Sequence, residues 1–173
     1  FGTQIFKYLV FNNPDWDYST YDFSRFATDT RLAASFLNAT NPNLDGLKAN
    51  HGKLIIWHGW ADPALPAEGT INYYREAIAH DPKVGDYCRL FLVPGCLHCG
   101  GGPGASEVDW LSVIVDWVEH GTAPDKVIAS KHDQAKLRMS RPLFPFPGHA
   151  KFKGTGDPNN AESFEIDNSN SSH

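Results

Sequence analysis

Two residues of this 173-residue chain stand where a proton-transfer pair could be built. Asp62 lies in His58-Gly-Trp-Ala-Asp-Pro-Ala-Leu-Pro66, four residues past the end of a short apolar run. His98 lies in Pro94-Gly-Cys-Leu-His-Cys-Gly-Gly-Gly102, five residues past the end of a second one. Neighbouring parallel strands lie about 4.8 Å apart. If the two runs are such strands, the loops beyond their carboxyl ends can bring a carboxylate and an imidazole into hydrogen-bond contact. A histidine acting as general base needs that carboxylate on one ring nitrogen, to hold the tautomer and stabilise the imidazolium. The plainer reading is that Asp62 caps a turn before Pro63 and that His98 is a half-buried loop residue. Spacing alone leaves both open.

The flanking pattern supplies the strands. Lys53 to His58 is a compact apolar run between Gly52 and Gly59, and Cys88 to Val93 is another, closed by Pro94-Gly95; both read as buried strands. Between them residues 70–80 place Ile71, Tyr74 and Ile78 on one helical face, and Asp81-Pro82 ends that helix. Ser106 with Asp109 forms a capping-box pattern. It precedes an apolar stripe of Trp110, Leu111, Ile114, Val115, Trp117 and Val118, which Gly121 stops. Strand, helix, strand, helix with short connections predicts an α/β fold with a right-handed βαβα unit in a parallel sheet. Asp before His, each after a strand, also matches the order Ser…Asp/Glu…His of α/β-hydrolase sheets. Residues 1–23 read as an irregular aromatic segment and 24–37 as a short helix ending before Asn38. From residue 132 onward the pattern turns irregular, with a polar, loose tail over 154–173.

Composition narrows the function classes. The chain is 41% apolar and 20% charged, an ordinary globular balance, and its net charge of −5 offers no basic surface to nucleic acid or anionic membrane. Its longest apolar runs are far too short to span a bilayer. The chain begins at Phe1 without a charged-then-apolar leader, so a signal peptide is expected upstream or already removed. Asn38-Ala-Thr40 and Asn170-Ser-Ser172 are glycosylation sequons. Three cysteines leave either a free thiol or a partner outside the chain. Cys96-Leu-His-Cys99 also reads as C-x-x-C, but zinc would need two more ligands and a redox pair should open a helix. Cys88 and Cys96 are expected to be unbridged, because an extended strand separates them. The glycine run 100–104 lacks the Lys-Ser/Thr of a phosphate loop. Trp57, Trp110 and Trp117 are expected in the core. Trp60 is the exception, being in the loop beside Asp62.

Several segments together resemble the tannase/feruloyl esterase family. They are Gly52-Lys-Leu-Ile-Ile-Trp-His-Gly-Trp-Ala-Asp-Pro63, Thr70-Ile-Asn-Tyr-Tyr74, Phe91-Leu-Val-Pro-Gly-Cys-Leu-His-Cys-Gly-Gly-Gly102, Asn38-Ala-Thr-Asn-Pro-Asn-Leu44 and Asp116-Trp-Val-Glu-His-Gly-Thr-Ala-Pro124. The resemblance implies the C-terminal portion of an α/β-hydrolase catalytic domain across residues 1–173, incomplete without N-terminal strands and an inserted lid. Residues 1–23 would be the return from that lid. It implies a secreted serine esterase acting on gallate, hydroxybenzoate or hydroxycinnamate esters, with Asp62 as the acid and His98 as the base. Cys99 would be half of a disulfide to a cysteine beside the upstream serine. Leu65 would line the substrate pocket, and the position of Trp60 adds it to that surface. No serine here lies in a Gly-x-Ser-x-Gly elbow or follows a cysteine, so the nucleophile and lid are expected on an N-terminal segment. No cofactor is expected in this chain; a structural calcium would belong to the lid. Phe144 and Ile166 stand where a late family disulfide would be. The competing function is a non-catalytic fragment or binding module that retains half a hydrolase fold.

Overall fold

A computed structural model describes residues 2–169, in two compact units that divide between Asn41 and Pro42. The sequon at Asn170 lies outside the described residues; the one at Asn38 is exposed.

The first unit is a chain of short helical turns around aromatic rings. Asp17 and Asp22 each cap a 3₁₀ turn by accepting the backbone N–H two residues on, at 2.9 and 3.0 Å. Phe6 is the hub. It stacks on Trp16 with centroids 5.1 Å apart and meets Tyr21 edge-on at 5.0 Å. The helix expected over 24–37 is two helices, Phe26–Asp29 and Arg31–Leu37. The break is at Thr30, whose hydroxyl donates to the Phe26 carbonyl at 2.6 Å and so competes with the helical ladder. Asn38 ends the second helix, as anticipated.

The second unit contains β1 (Leu54–Gly59), α1 (Ala67–His80), β2 (Cys88–Val93) and α2 (Trp110–His120). β1 and β2 pair in parallel, from Leu54 opposite Cys88 to Gly59 opposite Val93. Both strands are apolar along their length because both faces are covered. Cys88 and Leu90 pack with Ile71, Tyr74 and Ala77 of α1, and the Tyr74 hydroxyl donates to the Cys88 carbonyl at 2.9 Å. Phe91 and Val93 face the other way, toward Cys96, Ala105, Val127, Ala129 and Leu143. Trp57 stacks on Trp110, and Trp117 is buried, so these three indoles are structural as expected. The far edge of β2 is partly closed by residues 145 and 146, Phe146 donating to the Leu90 carbonyl at 2.8 Å. Among the described residues β1 pairs with β2 alone.

Three expectations for this unit are corrected. The cap of α2 is Asp109 itself, whose carboxylate accepts from the Ser112 N–H at 3.0 Å; Ser106 instead bonds to Ser130 through its backbone. The stripe on α2 is mostly uncovered: Leu111 is 72% exposed and Trp117 alone is buried. Gly121 does stop the helix, in a left-handed conformation at φ 71°. The stretch beyond residue 132 is regular. β3 (Val127–Asp133) and β4 (Lys136–Leu143) form an antiparallel hairpin with a bulge between Lys131 and His132. Finally, residues 154–169 are no loose tail. β5 (His149–Phe152) pairs with β6 (Phe164–Asp167), Phe152 meets Phe164 edge-on at 5.5 Å, and the Arg141 guanidinium lies 4.5 Å from the Phe164 ring centre. No helix among the described residues is long and apolar enough to cross a membrane.

Candidate active site

The parallel register ends with Gly59 beside Val93, so the loops that leave β1 and β2 start at the same level. Backbone bonds then join them. The Trp60 N–H donates to the Val93 carbonyl at 3.0 Å and the Ala61 N–H to that of Cys96 at 2.9 Å. Gly59 makes this approach possible, because a Cβ there would collide with the carbonyl oxygens of Cys96 and Leu97. Gly59→Ala is therefore expected to force the loops apart and destabilise the fold by about 1–3 kcal/mol, the usual penalty for an overpacked site. A urea midpoint equal to that of the parent would refute this.

Asp62 does both things that the sequence left open. Its Oδ1 accepts from the N–H groups of Ala64 and Leu65 at 2.8 and 3.0 Å, which closes the turn around Pro63. Its Oδ2 accepts from His98 Nδ1 at 2.6 Å. The bond to His98, and then the two amides, hold the carboxyl well below its ordinary range, at about 2, against the opposing effect of desolvation. An ionised carboxylate only accepts, so Nδ1 of His98 carries the proton and the lone pair of the neutral ring lies on Nε2. The two side chains also differ in access: that of Asp62 is 2% exposed and that of His98 53%. A buried anion behind an open imidazole is an arrangement that can take a proton from a group arriving at Nε2.

Two further residues brace these loops. His58, at the end of β1, places Nε2 3.1 Å from the Leu65 carbonyl and 3.5 Å from Asp62 Oδ2, with Nδ1 2.7 Å from the Thr70 hydroxyl on α1. Lys131 on β3 donates to the carbonyls of Gly102 and Pro103, at 2.7 and 3.1 Å, in the glycine run that follows His98. Neither was singled out as a site residue from the sequence. A histidine ending a buried strand was a usable signal for the first. The second needed the β3–β4 hairpin, which had no apolar signature.

A profile of the "Tannase and feruloyl esterase" family matches residues 3–166. The chain belongs to that family. A mono(2-hydroxyethyl) terephthalate hydrolase of Piscinibacter sakaiensis is 38% identical over 138 residues, covering 78% of this chain and 23% of the relative. A probable feruloyl esterase of Arthroderma benhamiae is 41% identical over 142 residues, covering 78% of this chain and 26% of that protein. The chain thus spans about a quarter of the length of these two relatives. Among solved structures, feruloyl esterase B from Aspergillus oryzae superposes with a TM-score of 0.88 over 96% of this chain and 37% of its own, at 23% identity. The fold is shared with these esterases and is α/β-hydrolase-like.

In this tannase and feruloyl esterase family chain the three cysteines occupy different environments. Cys88 and Cys96 are buried and unbridged; Cys99, next to His98, is exposed. Burial pushes the Cys88 thiol up to about 12 and also raises that of Cys96. Cys88 belongs to the core packed on α1 and Cys96 to the opposite one, which keeps them apart. Among the described residues no three His, Cys, Asp or Glu side chains gather as metal ligands. Trp60 and Leu65 are both exposed in the Asp62 loop. Trp60 borders a cavity of about 460 Å³ with Phe144, Phe146 and Pro147 among its walls.

Proposed function

We propose that this chain supplies the Asp and His of a serine carboxylic ester hydrolase acting on phenolic-acid esters, of gallate, hydroxybenzoate or hydroxycinnamate type. The observation that carries this is the 2.6 Å bond from His98 to a buried Asp62, with the His98 ring exposed and its Nε2 without a partner among the described residues. In the proposed reaction an upstream serine hydroxyl gives its proton to Nε2 as its oxygen attacks the ester carbonyl. The imidazolium, stabilised by Asp62, then returns that proton to the leaving alcohol, and water repeats the cycle on the acyl-enzyme. One relative, named a probable feruloyl esterase, supports the hydroxycinnamate type; the terephthalate ester in the other's name shares the aromatic acyl group but has no phenolic hydroxyl. Trp60 and Leu65 would contact the substrate beside the pair.

The serine and the lid, with any structural calcium, are assigned to an N-terminal segment. The open outer edge of β1 and the uncovered stripe on α2 are surfaces such a segment would cover. We assign the enzyme to a secreted location, where Cys99 can be oxidised. Hydrolysis of methyl gallate, methyl 4-hydroxybenzoate and methyl ferulate by the complete enzyme tests the substrate class; turnover of alkyl esters alone would remove it.

Cys99 is expected to be bridged to a cysteine next to the upstream serine, holding serine and histidine loops in register. Non-reducing peptide mapping of active enzyme checks this. A free Cys99, or one joined to Cys88 or Cys96, would refute it. Mild reduction should lower activity before the fold unfolds.

A further inference from the structure

His58 is a second histidine on Asp62, and its surroundings leave it little freedom. Its side chain is 11% exposed. The Leu65 carbonyl, 3.1 Å from Nε2, can only accept, so Nε2 must carry a proton. In the neutral ring Nδ1 is then an acceptor, and the Thr70 hydroxyl 2.7 Å away donates to it. Thr70 lies on α1, which is packed into the core through Ile71 and Tyr74. A rigid helix thereby selects one tautomer of His58 and fixes its ring plane. That ring aims its N–H at the Leu65 carbonyl, with Asp62 Oδ2 3.5 Å away. Oδ2 is the oxygen bonded to His98, and the Leu65 N–H holds the other oxygen of the same carboxylate.

The geometry points to His58, set by Thr70, as a positioning residue that holds the Asp62 loop and turns the Asp62 carboxylate toward His98. The inference rests on the reading of Asp62 and His98 as the working pair. His58 touches neither substrate nor nucleophile in this role; it acts through Asp62. Without it, the Leu65 carbonyl loses its donor and the carboxylate loses the positive ring edge beside Oδ2, so Asp62 can rotate away from Nδ1 of His98. The titratable groups around Asp62 are His58, His98 and the buried Cys96 thiol. Weaker pairing stabilises less the imidazolium that forms on His98 when it takes a proton.

The test compares His58→Ala, His58→Gln, Thr70→Val and Thr70→Ser in the complete enzyme, with p-nitrophenyl acetate as probe and Asp62→Asn and His98→Ala alongside. For His58→Ala, kcat is expected to fall by at least about tenfold, toward the ~10²-fold loss that an ångström of misplacement brings. KM should stay close to the parent's, and the acid limb of the kcat/KM profile should move to lower pH. Thr70→Val should move the limb the same way with a smaller loss in kcat, and Thr70→Ser and His58→Gln, which restore a donor, should recover part of the effect. The inference is overturned if His58→Ala and Thr70→Val keep the parent's kcat and acid limb while Asp62→Asn and His98→Ala are inactive. It is equally overturned if their losses match a lower folded fraction with an unmoved limb. If Asp62→Asn and His98→Ala are themselves active, the underlying reading of the pair fails, and the positioning role of His58 falls with it.

Discussion

Asp62→Asn in the complete enzyme should leave the fold nearly unchanged and lower turnover by about 10⁴, the order of loss that serine proteases show for the same change. The reason is in the two jobs of the carboxylate. An asparagine oxygen can still accept from the N–H groups of Ala64 and Leu65, so the turn around Pro63 survives. Its amide nitrogen then faces His98 where Oδ2 accepted at 2.6 Å. A donor in that place makes Nδ1 the acceptor and moves the ring proton to Nε2, the atom that receives the serine proton in the proposed reaction. The variant would fold with the wrong tautomer. His98→Ala should be at least as damaging, since it removes the base itself. Circular dichroism and ester hydrolysis measured on the same samples check both. Near-normal hydrolysis by a folded Asp62→Asn protein would remove Asp62 from the mechanism.

Purified residues 1–173 alone should hydrolyse neither methyl gallate nor methyl ferulate. The proposed pair of Asp62 and His98 would make a base, but an acyl-enzyme also needs an activated serine and donors for the oxyanion. The serines here lack the elbow that would expose such a nucleophile. The isolated chain should also associate or dissolve poorly, because the outer edge of β1 and the side chains of Leu111 and Val118 are uncovered among the described residues. Supplying the proposed N-terminal segment, in trans or in one polypeptide, should restore activity. A serine-directed phosphonate on material of confirmed mass is the decisive probe. Labelling of any serine within residues 1–173, with matching ester hydrolysis, would show that the nucleophile is in this chain after all.

The central strands and their helix were readable because burial on both faces writes itself into composition. Leu54 and Ile56 pack with one core while Ile55 and Trp57 border the other, so β1 is apolar without alternation, and β2 repeats the pattern. Asp62 and His98 then stood out as candidates in the loops after two adjacent strands, but spacing left a turn cap and a loop histidine equally open, and the family resemblance assigned them their roles. The β3–β4 hairpin had no such mark. Val127 and Ala129 are buried on β3, yet Lys131, His132 and Asp133 beyond them are not, so its regularity comes from backbone pairing rather than side-chain pattern. The β5–β6 pair is similar, resting on one aromatic contact and a guanidinium over a ring in an otherwise polar stretch.

Residue type and order along the chain were thus sufficient for the parallel strand pair, for α1 and for the two residues that could exchange a proton, since each depends on neighbours within a few positions. What they could not carry is the distance of 2.6 Å between groups 36 residues apart, or the use of both Asp62 oxygens at once. Those depend on Gly59 letting one loop pass against the other's carbonyls. The roles of His58 and Lys131 depend still more on packing. His58 is only a histidine near the end of a buried strand, and Lys131 an ordinary strand residue, until α1 brings Thr70 to one and the hairpin brings the other to the Gly102 and Pro103 carbonyls. Hydrogen bonds of this kind are short-ranged and directional, so they come into being only when the elements that bear their two ends have docked.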